Sequence, residues 1–480
     1  MKEYTLEEII EIAESAIGKT VGEIASKNAY RNESSKGSIG HIVEEGLFKY
    51  KINNDRKPDF ENLGIELKVT GYVWVYGGKR VSAKERLIIT MIDYYNDYKD
   101  AFFESACYKK MEKMLLILYE YDYEKNRDDF IITNYYLYDF NDIPEKDKII
   151  ILNDWDTIMN KIKAGFAHEL SEADTMYLGA APKGQSRKSV TNQPFSQEKA
   201  MRRAYSLKTT YMTYLFRGEI FDEEVEREEF IKDISSLRFK SLDEIIVDNF
   251  SPYIGMSLTE FDKLFDIPVK RKNNKQFLMS YVSRLMHVKD ANNIEEFEKA
   301  NIQIKTIRIN KDNKIKESMS FPSFCFKEVA SEGWEESQLR TMLSTTKFLF
   351  VVFKEVDIKT REYELLGVKL WNMPIKTIDD EVRDVWLKTN HILNNELQLR
   401  IKNNTVYNNF PKKSHNKVSH VRPHGSYRST TKPLPSTTNI KILDSDGSFE
   451  PTQFIEEHSF TAQCFWLNNT YILEIISDIL

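Results

Sequence analysis

Two carboxylates and a lysine fall close together near residue 60: Pro58-Asp59, then, after six intervening residues, Glu66-Leu67-Lys68. On an extended strand, side chains alternate faces, so Glu66 and Lys68 point one way while Ile65 and Leu67 point into a core. Glu61-Asn62-Leu63-Gly64 has turn composition, with Gly64 able to take positive φ. A turn there folds Asp59 back beside Glu66, and two carboxylates and an ammonium converge. Such a cluster suits phosphodiester hydrolysis. Carboxylate oxygens hold Mg²⁺, which keeps several waters and takes a phosphate oxygen; it offsets charge on the phosphate and acidifies a bound water. Lys68 would orient or deprotonate the attacking water, or steady the developing charge.

A third carboxylate lies upstream. Ile39, Ile42, Val43, Leu47 and Tyr50 recur at helical spacing and form one apolar face, with Glu44 at its rim, able to reach the same metal. By itself the Asp…Glu-x-Lys pattern arises easily in a chain that is 30% charged, and Asp312-Asn313-Lys314 is a decoy of that sort.

The positioning elements repeat. Thr5-Leu6-Glu7-Glu8-Ile9-Ile10 returns as Ser241-Leu242-Asp243-Glu244-Ile245-Ile246, each a capping box that opens an amphipathic helix. Ile17-Gly18-Lys19-Thr20 with Glu23 returns as Ile254-Gly255-Met256-Ser257 with Glu260, and Ile65-Glu66-Leu67-Lys68 as Ile302-Gln303-Ile304-Lys305. The run at 113–119 (KMLLILY) returns at 347–353 (KFLFVVF), and the pair Asp154, Trp155 as Asp384, Trp386. Matches in one order at a slowly drifting offset point to an internal duplication. Each copy reads as mixed α/β (α+β), helices on a central mixed sheet. The reading predicts a domain over residues 1–217, an acidic linker over 218–237 and a second domain over 238–480. At the gap-free offset Lys68 faces Lys305, but Glu66 faces Gln303, Asp59 faces Glu296 and Glu44 faces Tyr281. A purely structural cluster has no reason to stay whole in one copy and lose acids in the other; one active and one retired site is the simpler account.

Bulk properties bound the rest. The net charge is −6 over 480 residues, but residues 176–217 hold eight Lys/Arg against the single acid Glu198, and 402–432 hold seven Lys/Arg and no acid. Two basic segments in an acidic chain read as two DNA-binding faces. His415, His420 and His424 lie in the second without acid or Cys to complete a zinc site, and fit a solvated DNA-facing loop. Three scattered cysteines, no signal-peptide pattern and apolar runs of strand length suggest a cytoplasmic protein without a membrane span. No Gly-x-x-x-x-Gly-Lys loop appears, so no nucleotide cofactor is expected.

These residues resemble the MutH/restriction-endonuclease family, and most closely its two-domain type II members that cut GATC. The resemblance is carried by 38–44 (SIGHIVE), 57–60 (KPDF), 63–68 (LGIELK) and 82–87 (SAKERL), and downstream by 167–172 (AHELSE) and 205–211 (YSLKTTY). It implies a restriction-endonuclease-like fold in two tandem MutH-like domains, the second catalytically decayed and acting in DNA binding and regulation. It further implies Mg²⁺-dependent cleavage of double-stranded DNA at GATC, leaving 5′-phosphate and 3′-hydroxyl ends. Asp59, Glu66 and Glu44 would hold the metal, with Lys68 and, as the further basic residue, Lys84 beside it. Lys183, Arg202, Arg203 and Lys208 would contact phosphates or base edges, most of them backbone. The family's Arg-Pro-Lys falls on Ala181-Pro182-Lys183 in the first copy and on Arg422-Pro423-His424 in the second, and its base-reading tyrosine falls on Ser206. A palindrome cut on both strands with one intact site per chain implies self-association on DNA. A mismatch-repair nicking enzyme of the MutH kind, or a non-catalytic DNA-binding regulator, are the alternatives; the duplication counts against the first and the intact Glu44, Asp59, Glu66 and Lys68 against the second.

Overall fold

The computed structural model describes residues 3–25, 38–49, 57–75, 77–183, 189–223, 227–265, 276–403, 405–424, 430–447 and 458–480. Tyr50 lies outside them, as do parts of both basic segments. The chain divides into two compact units: 1–246 with 287–303, and 247–286 with 304–480.

The first unit opens with α1 (Leu6–Glu14), begun by the predicted capping box of Thr5 with Glu8, and α2 (Val21–Ile24), begun by a second capping box of Thr20 with Glu23. The helix α3 (Ser38–Gly46) follows, and its Ile42 and Val43 enter the core with Phe48 and Phe60. Strand β1 (Ile65–Val75) leaves a turn in which Gly64 has φ +66°, the conformation that a β-carbon disfavours. β2 (Arg80–Ala83) pairs antiparallel with β1; β3 (Leu87–Met91) belongs to another sheet. After α4 (Ala106–Met111), β4 (Lys113–Glu120) lies parallel to β1, and β5 (Ile131–Asp139) antiparallel to β4. The result is a four-stranded mixed sheet, β2-β1-β4-β5. Met114 to Leu118 are fully buried, as a strand covered on both faces requires. Gly71 pairs with Tyr119, and a β-carbon there would come within 2.8 Å of the ring.

Helix α5 (Glu145–Lys163) buries Ile150, Ile151, Trp155, Ile158 and Ile162. Its Asp154 accepts the backbone N–H groups of Met176, Tyr177 and Leu178 at 2.6, 2.6 and 2.8 Å. That contact anchors β6 (Leu178–Pro182), which with β9 (Arg203–Leu207) and β3 forms a sheet of order β3-β9-β6; β7 (Val190–Gln193) and β8 (Ser196–Met201) form a hairpin between them in sequence. The helix α6 (Thr209–Leu215) follows β9.

The described residues of 218–237, read from sequence as a linker, pack as part of this unit. Phe230, Ile231 and Leu237 are buried, and Glu223 accepts the Val81 N–H at 2.7 Å. So does the helix Glu295–Ala300, which the duplication assigned to the second copy. Its Lys299 Nζ lies 2.7 Å from Asp147 on α5, and Lys146 Nζ lies 3.0 Å from Glu296.

In the second copy the sheet orders recur. Strands Ile302–Ile309, Lys347–Asp357 and Glu362–Trp371 are ordered as β1, β4 and β5 are, and Met319–Ser323, Gln463–Leu467 and Ser419–Pro423 as β3, β9 and β6 are. Helix Asn469–Ile475 follows Gln463–Leu467 as α6 follows β9. Trp155 and Trp386, paired by the repeat, are both buried core aromatics. Among the described residues, no helix is long and apolar enough to cross a membrane.

Candidate active site

Along β1 the alternation holds: Ile65 and Leu67 are buried in the core, and Lys68 Nζ reaches Glu66 Oε1 at 2.7 Å. The predicted turn also forms. Phe60 and Ile65 exchange backbone hydrogen bonds at 2.9 and 3.3 Å, which brings Asp59 back along β1, where its Oδ2 accepts the Leu67 N–H at 3.0 Å. Asp59, Glu66 and Lys68 therefore line one cavity of about 680 Å³. Glu44 and His41 from α3 line it too, with Ile88 to Tyr95 at and beyond β3, Lys183 after β6 and Arg202 before β9.

A second lysine completes the charge balance. Lys110, from α4, places Nζ 3.2 Å from Glu66 Oε1, and Lys68 also donates to the Ile89 carbonyl at 3.2 Å. Glu66 is 2% exposed, and its other oxygen, Oε2, is buried without a hydrogen-bond partner. An orphaned buried carboxylate oxygen is costly unless something fills it. A hard divalent cation does so, and magnesium is commonly bound through one or two carboxylates with water and substrate phosphate completing its shell. Asp59 and Glu66 fit that role. Among the described residues no three His, Cys, Asp or Glu side chains form a ready-made metal cage; Glu44 stands in the wall of the same cavity, within reach of the charges of Glu66, Lys68 and Lys110.

Burial and the neighbouring Glu66 push the Asp59 carboxyl up to about 6; the Leu67 N–H, Lys68 and Lys110 work the other way. Burial likewise raises Glu44 above its usual range. Two consequences follow for Asp59. With Asp59 as a metal ligand, protons would compete with the metal there, and the Mg²⁺ concentration needed for half-maximal cleavage should rise as pH falls through about 6. A flat requirement between about pH 5 and about pH 8 would remove Asp59 from the metal site. Second, a carboxyl raised in the folded state favours folding below its unfolded pKa and loses that contribution as pH rises through the folded one. At about pH 8 the ionised Asp59 thus costs stability, and Asp59→Asn should raise the unfolding free energy by roughly 1–3 kcal/mol while abolishing cleavage. An unchanged or lowered Tm for Asp59→Asn would contradict the assignment.

Several residues read from sequence stand elsewhere. Lys84 packs over the rings of Tyr121 and Tyr123, 4.3 and 4.9 Å from their centroids, away from the cavity; Lys110 occupies the place expected of it. Arg203 is buried, its Nη1 donating to the Ala180 carbonyl at 2.7 Å, because it lies within β9 with its side chain under the sheet. Ser206, directly opposite Gly179 and Ile88, is fully buried. Lys208 is buried as well: its ammonium donates to the carbonyls of Thr175 and Ala300 and stands near Asp154, so it holds the unit together and offers no DNA contact. Lys183 and Arg202 do face the cavity, joined by the hydrogen bond from Lys183 N to Arg202 O at 2.8 Å. Burial lowers the Lys183 ammonium from its usual range. In the second unit Arg422 and His424 both flank Trp466, at 3.9 and 5.5 Å.

The sequence reading missed Lys110. It sits 42 residues beyond Lys68 on a separate helix, outside any short motif. The available signal was a lysine between Cys107 and Met111, both of which are buried.

Among the described residues, the counterpart positions of the second copy gather no such site. Gln303 replaces the buried carboxylate, Tyr281 donates to Asp262 at 2.8 Å, and Glu296 is engaged by Lys146 and by the N–H groups of Phe230 and Ile231 at 2.9 and 3.1 Å.

A mixed sheet carrying Asp…Glu-x-Lys on β1, with a charged cleft between that sheet and β3-β9-β6, is the arrangement expected of a MutH-like nuclease. The sequence profile of the DNA mismatch repair enzyme MutH matches residues 48–154, which span Asp59, Glu66, Lys68 and Lys110. The chain belongs to the MutH-like type II restriction endonucleases. It is 34% identical over 494 residues to the type II restriction enzyme Sau3AI of Staphylococcus aureus, covering 98% of this chain and 97% of that protein.

Proposed function

We propose that the chain cleaves both strands of duplex DNA at GATC by Mg²⁺-dependent hydrolysis, leaving 5′-phosphate and 3′-hydroxyl ends. The observation that carries the chemistry is Glu66: a buried carboxylate with one oxygen bound by Lys68 and Lys110 and the other unpartnered, beside Asp59. When bound, magnesium supplies Lewis-acid stabilisation of charge on the phosphate oxygens. The chain's own residues do the rest. Glu66 and Asp59 hold the cation; Lys68, fixed between Glu66 and the Ile89 carbonyl, orients the attacking water and steadies negative charge on the phosphate. Lys110 holds Glu66 in place through its contact with Oε1. Lys183 and Arg202, which line the same cavity, grip the DNA backbone or guanine edges.

The GATC specificity follows the family resemblance. The second copy, with matching sheet orders but Gln303 in place of the carboxylate, is read as a decayed domain that binds DNA and regulates the first. With one intact site per chain, cutting both strands of a palindrome brings two chains together on DNA. Metal dependence tests the chemistry: a duplex containing GATC should be cut in Mg²⁺, spared in EDTA, and yield ends that a ligase rejoins without kinase treatment. Cleavage in EDTA, or ends that need a kinase before ligation, would overturn the proposed hydrolysis.

A further inference from the structure

The second unit holds a cavity of about 310 Å³ lined by Lys316, Glu317, Ser318, Lys412, Lys413, His420, Val421 and Arg422. The acid in that lining, Glu317, lies 3.8 Å from Arg308. Among the described residues, none of Lys316, Lys412, Lys413 and Arg422 meets a carboxylate at ion-pair distance. Four cations around one small cavity call for an anion.

Two of the lining groups are preset. Strand Ser419–Pro423 pairs with Gln463–Leu467 so that His420 faces Trp466 directly. The Arg422 guanidinium lies over the Trp466 ring at 3.9 Å, and the indole N–H donates to the Arg422 carbonyl at 3.0 Å, which holds the planar fork in one orientation. His420 is buried, and its Nδ1 lies 2.6 Å from Asn468 Oδ1. Asn468 donates its own amide to the Asn416 carbonyl at 2.7 Å, so its oxygen must accept, and Nδ1 must carry the hydrogen. That leaves Nε2 as the ring's acceptor, in a side chain that lines the cavity. Lys413 is bonded to Asn469, whose N–H is in turn bonded to Ser318 at 3.2 Å, so a third cation is tied to the same wall. The paired strands of the first unit have Gly179 and Ser206 where His420 and Trp466 stand, so this ladder is particular to the second unit.

We propose that this cavity seats one backbone phosphate of a DNA duplex, held by Arg422, Lys412 and Lys413 and by His420 as imidazolium. The proposal rests on the reading that the chain acts on DNA. A phosphodiester has no proton to offer, so neutral His420 would present only a lone pair to it. Seating the phosphate requires Nε2 to take up one proton from solvent and donate it as a hydrogen bond. Burial, Arg422 and Lys413 hold empty-site His420 toward its neutral form, against the Asn468 hydrogen bond; in the cavity lining Lys316 and Lys412 add to the positive side, and Glu317 opposes them. An entering anion reverses that balance, which links binding to proton uptake.

The test measures equilibrium binding of the full chain to a GATC duplex in EDTA, at about pH 6 and about pH 8 and over a range of salt. Arg422→Ala should weaken binding about tenfold and make the slope of log affinity against log salt shallower by about one. His420→Gln should remove most of the tightening that the wild-type chain shows on going to the lower pH. Wild-type affinity, slope and pH dependence in both variants would overturn the proposal, as would saturation of the site by inorganic phosphate with duplex affinity unchanged in Arg422→Ala. Should Arg422→Ala not fold by circular dichroism, Lys413→Gln reads the same slope. Wild-type cleavage of the same duplex in Mg²⁺ is scored alongside, so a failure of the DNA-cutting reading shows there and not in the variants.

Discussion

Glu66→Gln is expected to lower the cleavage rate by at least about a thousandfold while duplex binding persists. Gln keeps the shape and one acceptor for Lys68, but it takes the negative charge from the centre of the cluster. Lys68 and Lys110 then face one neutral oxygen, and Asp59 alone remains to hold a divalent cation. The loss should fall on the rate and on the Mg²⁺ requirement together, since the same carboxylate serves both. In the proposed reading binding is carried by Lys183 and Arg202, which line the same cavity, and should survive. Turnover within tenfold of wild type would mean that Glu66 is only an ion-pair anchor and that the site lies elsewhere.

The second large effect concerns the helix Glu295–Ala300. Lys299 is almost fully buried, with its ammonium 2.7 Å from both Asp147 and Glu295 and over the Tyr214 ring at 4.3 Å. Nearby, Lys146 lies 3.1, 3.5 and 3.0 Å from Glu229, Glu295 and Glu296. Burial pulls the Lys146 ammonium down, but Glu296 and Glu295 outweigh it and hold it above its ordinary value. Arg217 and Arg227 both clasp Glu298. Removing one partner of a buried pair leaves an uncompensated charge, which costs far more than the intact pair contributes. Lys299→Met in the full chain strands Asp147, already raised by burial, and should destabilise the first unit by roughly 3–5 kcal/mol. A Tm within about a degree of wild type would contradict this. The same logic bears on truncation. Deleting 238–480 removes this helix along with the second unit, so the remnant should unfold or aggregate. The proposed regulation by the second unit is therefore to be measured with point variants of the full chain.

How far the sequence reached can be traced element by element. Local rules were reliable where they acted alone. The capping boxes at Thr5 and Thr20, the left-handed Gly64 and the buried strand at 113–120 all follow from neighbours in the chain. The Asp59, Glu66, Lys68 cluster was legible because one turn and one strand build it. What escaped was decided by contacts distant in sequence. Lys110 reaches Glu66 only through the packing of α4 beside β1. Lys208 reads as a basic residue in a basic segment, yet Asp154 and two carbonyls draw it inside. Arg203 differs from Arg202 only by strand parity, and that parity put one under the sheet and the other on the cavity wall. Helix Glu295–Ala300 matched the second copy by offset, but its charges complement α5 of the first unit.

The most direct test of the central claim is to incubate the purified chain with unmethylated plasmid and Mg²⁺ and to sequence the fragment ends. Breaks on both strands at GATC, each with a 5′-phosphate, are the expected result. Breaks at another sequence would contradict the specificity, nicks confined to one strand would contradict the restriction reading, and intact plasmid alongside clear DNA binding would contradict the nuclease itself.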